Sequence, residues 1–122
     1  MILYSILESP LHPQLTSLYQ SLGINEIRLL SVRKAIQELK KQPPDIVVAD
    51  FVYGYGNNYA GVNISNLDVF LYSLAKYATD CKVIVLYEKS EKKYVEKLEA
   101  LFPAIHTLAY PVSESSIQPF LQ

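Results

Sequence analysis

The sequence predicts an α/β domain, a doubly wound five-stranded parallel sheet with helices on both faces. Three observations carry this reading. Short apolar runs alternate with segments whose apolar residues recur at helical spacing, in about five strand and helix pairs. Two of the runs, Ile46-Val47-Val48-Ala49 and Val83-Ile84-Val85-Leu86, are apolar at every position, as strands covered by helices on both sides are. A chain of 122 residues with 50% hydrophobic and 19% charged residues is the size of one compact domain with a substantial core, so residues 1–122 read as a single unit.

The elements follow in order. Ile2 to Ile6 is a short apolar strand. Ser9-Pro10-Leu11-His12-Pro13 suits a helix start, where prolines are tolerated, and Leu11, Leu15, Leu18, Tyr19 and Leu22 then recur at helical spacing until Gly23 stops the helix. Ile27 to Leu30 is a second strand, and Ser31 is placed to cap a helix carrying Val32, Ala35, Ile36 and Leu39 on one face. Lys40-Lys41-Gln42 ends that helix with cations. Pro43 and Pro44 close it off before the third strand, which ends in a carboxylate at Asp50. Beyond a long loop, Ser65 or Asn66 caps a helix with Leu67, Phe70, Leu71, Leu74, Ala75 and Ala78 facing inward.

Lys82 to Tyr87 is the fourth strand. Ser90 opens a charged helix with Val95, Leu98, Leu101 and Phe102 inward and Lys92, Lys93, Glu96 and Lys97 in solvent. Ile105 to Ala109 is the last strand, Pro111 breaks it, and Ser113 caps a closing helix bearing Ile117, Phe120 and Leu121. Right-handed crossovers complete the doubly wound arrangement.

Composition excludes several classes. The net charge of -1, from 11 basic and 12 acidic residues spread along the chain, leaves no electrostatic footprint for nucleic acid or an anionic membrane. Cys81 stands alone beside a strand, which points to a reducing compartment and to small apolar burial. The opening Met1-Ile2-Leu3-Tyr4-Ser5-Ile6-Leu7 lacks the basic leader and apolar length of a signal peptide or membrane span, so a cytoplasmic location is expected. In that compartment the Asn63-Ile64-Ser65 acceptor pattern has no glycosylation role. His12 and His106 fall on different elements with no Cys or acid at ligand spacing, so no metal is expected there. No nucleophile, base and orienter assemble from the pattern.

In an open parallel sheet the functional crevice lies beyond the carboxyl ends of the strands. The residues there are Leu7, Glu8 and Ser9 after the first strand, Asp50 after the third, Tyr87 and Glu88 after the fourth, and Tyr110 and Pro111 after the fifth. This set, with Ala35-Ile36-Gln37-Glu38-Leu39 leading through Pro44-Asp45-Ile46-Val47-Val48-Ala49-Asp50, resembles the receiver (CheY-like) domain of two-component response regulators over nearly the whole chain. The resemblance implies a flavodoxin-like strand order of 2-1-3-4-5 and a single receiver-like domain. In receivers an aspartate ending the third strand accepts a phosphoryl group, an acidic pair after the first strand holds Mg²⁺, a Ser or Thr ends the fourth strand, and a Lys-Pro follows the fifth.

Asp50 matches the acceptor, and the other positions depart. The acidic pair falls on Ile6 and Leu7 or on Leu7 and Glu8, so at most one of its carboxylates survives, and an aliphatic side chain cannot ligate Mg²⁺. Tyr87 replaces the small hydroxyl residue and Tyr110 the lysine before Pro111. Phosphoryl transfer depends on positioning and on neutralising charge at the moving oxygens, which these replacements remove. The resemblance therefore implies a stand-alone pseudo-receiver, neither an enzyme nor phosphorylated, needing no cofactor and acting by protein–protein association. Since the chain ends at Gln122 directly after its closing helix, association is the expected output. Pairing of two copies through the last strand and helices, and a cis Tyr110-Pro111 bond, are further implications. One alternative is a single-domain response regulator phosphorylated on Asp50, with Mg²⁺ held by Asp50 and Glu8. Another is a flavodoxin-like small-molecule binder.

The segment from Phe51 to Ile64 is longer than the corresponding receiver connection. It holds three of the chain's 4 glycines and three of its 10 tyrosines. Long loops in compact domains tend to be functional, and tyrosine in a Gly- and Asn-rich setting suits contact surfaces. Tyr53, Tyr55, Asn57, Asn58 and Tyr59 are thus candidate partner-binding residues. The competing reading folds one or two of these rings over the vacated acidic pocket. Gly54-Tyr55-Gly56 followed by Gly61 lacks both the lysine of a P-loop and the glycine spacing of a dinucleotide fingerprint. Leu7-Glu8-Ser9-Pro10-Leu11 lacks the glycine expected of a flavin-phosphate loop.

Overall fold

Five runs rich in branched apolar residues form the strands β1 (Ile2–Ile6), β2 (Asn25–Leu29), β3 (Ile46–Asp50), β4 (Lys82–Tyr87) and β5 (His106–Ala109). They pair in parallel, as the sequence predicts, in the order β2-β1-β3-β4-β5 that the receiver resemblance implies. This is a computed structural model, and it describes residues 1–53 and 65–121. Among the described residues the α-helices α1 (Thr16–Ser21), α2 (Val32–Leu39), α3 (Asp68–Tyr77) and α4 (Lys92–Leu101) connect the strands, and α5 (Glu114–Ile117) follows β5. No helix among the described residues is long and apolar enough to cross a membrane.

Successive side chains of a strand point to opposite faces, so the sheet has two cores. On one face Tyr4, Ile6, Val47, Ala49, Val83 and Val85 pack with Ala35 and Leu39 of α2, Phe70 and Leu74 of α3, and Val95 and Leu98 of α4. On the other, Leu3, Val48, Ile84 and Leu86 pack with Leu18 and Tyr19 of α1 and with Ile117 and Leu121 at the end of the chain. Cys81 is half-buried, and burial pushes its thiol up to about 12, which keeps it protonated.

The predicted serine caps of α2 and α5 are present, whereas α3 has Leu67 at its N-cap and no side-chain cap, in place of the expected Ser65 or Asn66. Ser31 Oγ accepts the Lys34 N–H at 3.1 Å, and Ser113 and Ser116 form a reciprocal capping box at α5. Helix α1 ends in a Schellman motif, with Ile24 N–H donating to Tyr19 O at 2.9 Å and Gly23 N–H to Gln20 O at 3.1 Å. Gly23 sits there at φ +71, in the left-handed region.

Four further expectations are corrected. Helix α1 begins at Thr16 and not near Pro10, because Pro13 would break a helix already running and each residue before a proline is pushed out of the helical region. Residues 9–12 instead form a turn, with Leu11 N–H on Ser9 Oγ and His12 N–H on Ser9 O, and Leu11 is 49% exposed. The second strand begins two residues earlier than predicted and ends one earlier, which leaves Leu30 exposed. Ser90 lies within a 3₁₀ turn, Lys89–Glu91, that feeds α4. Leu101, expected inward, is half-exposed at the last turn of α4, while Phe102 packs edge-on against Tyr72 with ring centroids 4.9 Å apart.

The register aligns the carboxyl ends of the strands: Ile6 pairs with Leu29 and Ala49, Asp50 with Leu86, and Tyr87 with Ala109. Leu7, Asp50, Glu88 and Tyr110 are thereby set along one rim, and the Tyr110-Pro111 bond that leaves it is cis.

A Cβ added at Gly23 would meet nothing within 4 Å, so a substitution there is limited by backbone conformation alone. Gly23→Ala is expected to cost about 1 to 2 kcal/mol in denaturant unfolding, and Gly23→Asn less, because asparagine tolerates this region.

Candidate functional site

Strand β3 carries Asp50 to the rim and buries it completely, at 0% exposure. A carboxylate removed from water costs several kcal/mol unless its lone pairs are satisfied, and here all of them are. One oxygen, Oδ2, accepts the backbone N–H groups of Glu8 at 2.9 Å and Ser9 at 3.0 Å. The other, Oδ1, accepts His12 Nδ1–H at 2.9 Å and the Tyr110 hydroxyl at 2.5 Å. Two oxygens offer about four acceptor directions, so these four donors fill the group.

Each donor is delivered by local structure. The Glu8 and Ser9 amides lie in the loop after β1, the immediate neighbour of β3 in the sheet. The turn at residues 9–12 swings His12 inward until its side chain is 7% exposed. Tyr110 follows β5. Burial, and then the hydrogen bond to Asp50, hold its phenol well above the ordinary tyrosine value, so it is a neutral donor where a receiver would have a lysine.

A second layer is organised by Asn66, which is 6% exposed. Its Nδ2 donates to Glu8 Oε1 at 2.6 Å and to the Asp50 carbonyl at 2.9 Å, while its Oδ1 accepts the Val52 N–H at 2.9 Å. The Asn66 N–H donates to Val52 O at 3.1 Å, and Tyr53 bridges Ser65 in antiparallel fashion. Residues 52–53 and 65–66 therefore form a stem that joins the two ends of the long loop beside the carboxylate. Ser65 forms the turn that leads into α3, its Oγ accepting the Leu67 N–H at 3.1 Å while its N–H donates to Asp68 Oδ1 at 2.7 Å. Burial raises the Glu8 carboxyl above its ordinary value and the nearby Asp50 charge adds to this, while the Asn66 bond opposes both.

The remaining predicted positions divide. Leu7 pairs through its backbone with Leu29 at 2.8 Å and brings no ligand atom. Tyr87 is buried in the core beneath α2, α3 and α4 and does not reach the carboxylate. Pro111 follows the cis bond. Tyr53 does not fold over the carboxylate: it stacks on Tyr94 of α4, ring centroids 3.6 Å apart and 20° between planes, and stays 47% exposed. Lys93 and Lys97 lie 5.0 and 5.8 Å from the Tyr94 ring. Tyr55, Asn57, Asn58 and Tyr59 lie outside the described residues.

These residues do not fit the Mg²⁺ ion of a receiver. Hydrogen atoms of the four donors occupy both Asp50 oxygens, Leu7 is aliphatic, and Glu8 is bonded to an amide and held toward its neutral form. Among the described residues no three His, Cys, Asp or Glu side chains cluster as a metal site would require.

Sequence reasoning missed His12 and Asn66. The signal for His12 was the pair of prolines around it, which marks a turn as readily as a helix start. Asn66 was visible only as one of two alternative caps.

No family model and no curated protein matches the chain. The structure is similar to the signal receiver domain of a modulated diguanylate cyclase from Desulfovibrio desulfuricans, with TM-score 0.70 at 15% identity, covering 98% of this chain and 89% of that one. It is similar to the receiver domain of the Francisella response regulator 1452, with TM-score 0.64 at 18% identity over 98% and 93% of the two chains. A response regulator from Burkholderia pseudomallei, solved with a phosphorylated aspartic acid and a calcium ion, matches with TM-score 0.65 at 18% identity over 99% and 66%. At these identities the likeness establishes the fold: this chain is folded as receiver domains are.

Two outcomes test the site. Tyr110→Phe removes one donor from a buried carboxylate and is expected to cost about 1 to 3 kcal/mol in chemical unfolding. Glu8 is an acid whose folded value is raised, so the folded state holds its proton more firmly and stability falls as pH rises from the ordinary glutamate range through the folded value. Glu8→Gln, which keeps an acceptor for Asn66, is therefore expected to match the wild type at acid pH and to exceed it in stability at neutral pH.

Proposed function

We propose that this chain is a pseudo-receiver, a signalling module that acts by binding another protein and carries no phosphoryl group on Asp50. The observation that carries the reading is the filled carboxylate: the lone pairs an acceptor aspartate would offer to metal and phosphorus are taken by Glu8 N–H, Ser9 N–H, His12 and Tyr110. Attack on phosphorus would require at least one of them to leave, and no lysine follows β5 to receive the new charge. The module itself performs no reaction in this reading.

Association is supported by the surface next to the site. Tyr53 and Tyr94 present a stacked pair with Lys93 and Lys97 beside it, at the stem of a loop that contributes further tyrosines in sequence. Aromatic rings with a neighbouring cation are the composition of contact surfaces. The flavodoxin-like alternative loses support at the same place. The two backbone N–H groups after β1 that could cradle a phosphate are committed to Asp50.

Incubation with acetyl phosphate and Mg²⁺, then borohydride reduction and peptide mapping, tests the reading, because an aspartyl phosphate is reduced to homoserine. Asp50 is expected to be recovered as aspartate. Homoserine at position 50 would restore the phosphorylated response regulator in its place.

A further inference from the structure

The pairing that closes Asp50 leaves the other ring nitrogen of His12 without a partner among the described residues. His12 donates through Nδ1 to Asp50 Oδ1 at 2.9 Å, and its side chain is 7% exposed against 0% for Asp50. A ring that donates through Nδ1 carries its remaining lone pair on Nε2. Among the described residues Nε2 has no hydrogen-bond partner, and it is not among the polar atoms sealed from solvent without one. A buried carboxylate that fixes the ring and balances positive charge on it, with the distal nitrogen open, is the arrangement that makes an imidazole a nucleophile or base.

Open space lies beside the pair. The Tyr110 hydroxyl meets the His12 ring at the same Asp50 oxygen, and Leu11 is its chain neighbour. Tyr110 and Leu11 also line a cavity of about 410 Å³ together with Glu88, Lys89, Ser90 and Pro111. It opens at the carboxyl ends of the strands, where doubly wound sheets bind phosphate-bearing ligands. Lys89 supplies a cation and Glu88 an anion on its wall, and His12 lies next to this lining without being part of it.

We propose that His12 Nε2 is a nucleophile and accepts a phosphoryl group from small N–P or acyl-phosphate donors. With phosphoramidate in its zwitterionic form, whose nitrogen already carries three hydrogens, the Nε2 lone pair forms a bond to phosphorus, the phosphorus–nitrogen bond breaks, and its electron pair leaves on the nitrogen as neutral ammonia. The product is a phosphoimidazolium whose Nδ1 proton stays shared with Asp50, so the carboxylate offsets the charge the ring acquires. His12 is the group that touches the electrophile and Asp50 is a positioning residue. The inference is independent of the association reading.

The chain supplies its own control, because His106 is exposed and makes no hydrogen bond or ion pair among the described residues, its ring resting tilted against Phe120. The full chain is incubated with potassium phosphoramidate and followed by intact mass and peptide mapping. The expected result is an adduct stable in alkali and lost in acid, mapping to His12 and forming faster there than at His106 despite burial. It is abolished in His12→Gln and kept in His106→Gln. Asp50→Asn slows it by about ten- to a hundredfold and moves the pH profile of the rate, while leaving the rate at His106 unchanged. Mapping on the wild type decides the question even where a variant fails to fold. An adduct confined to His106, equal rates at the two histidines, or no adduct would overturn the proposal and leave the association reading intact. An alkali-labile adduct on Asp50 would overturn both.

Discussion

A carboxylate taken out of water must recover the hydrogen bonds it loses, and at the end of β3 that requirement arranges three other segments of the chain. Asp50 is fully buried and draws the loop after β1, the turn carrying His12 and the residue after β5 onto its two oxygens. Leaving any one of those acceptor positions unmet would cost on the order of 1 to 3 kcal/mol, a sizeable share of the stability of a domain this small. The four contacts are therefore mutually enforcing. The prolines rule out a helix start at residues 9–12, Asp50 fixes the turn that takes its place by holding His12 and the Ser9 amide, and Tyr110 donates its hydroxyl to the same carboxylate.

The same economy explains the second layer. Asn66 satisfies the carbonyl of Asp50 with one end of its amide and the N–H of Val52 with the other, and it reaches Glu8 as well. One side chain thereby ties the end of β3, the loop after β1 and the approach to α3. The long loop is anchored beside the carboxylate, while the aromatic pair at its stem stays on the surface. On a fold shared with receiver domains, the rim of this chain gathers hydrogen-bond donors onto one buried carboxylate.

The sheet was legible because burial on both faces demands apolar residues at every position of β3 and β4, and few other structures produce such runs. The crevice was legible for a topological reason, since parallel strands place their following residues on one rim. What was not legible is pairing across distance. Tyr110 reads in sequence only as the loss of a lysine, whereas in space it is a hydroxyl donor to a residue sixty positions away. His12 was placed in a helix that its own flanking proline forbids, and nothing local marks it as a partner of Asp50. Leu11 and Leu101 fit a helical period yet lie exposed, because a turn and a helix end take them off the apolar face. Periodicity reports which face is buried and is silent about what a buried polar group meets there.

The central claim is that Asp50 is saturated by protein donors and so closed to metal. Nitrogen-15 NMR of the backbone amides and imidazoles, recorded through a Mg²⁺ titration, tests it most directly. The account predicts a His12 ring with a slowly exchanging Nδ1 proton, and Glu8, Ser9 and His12 signals that do not move as Mg²⁺ is added. A His12 ring protonated on Nε2 alone, or a saturable shift of the Glu8 and Ser9 amides with Mg²⁺, would contradict it.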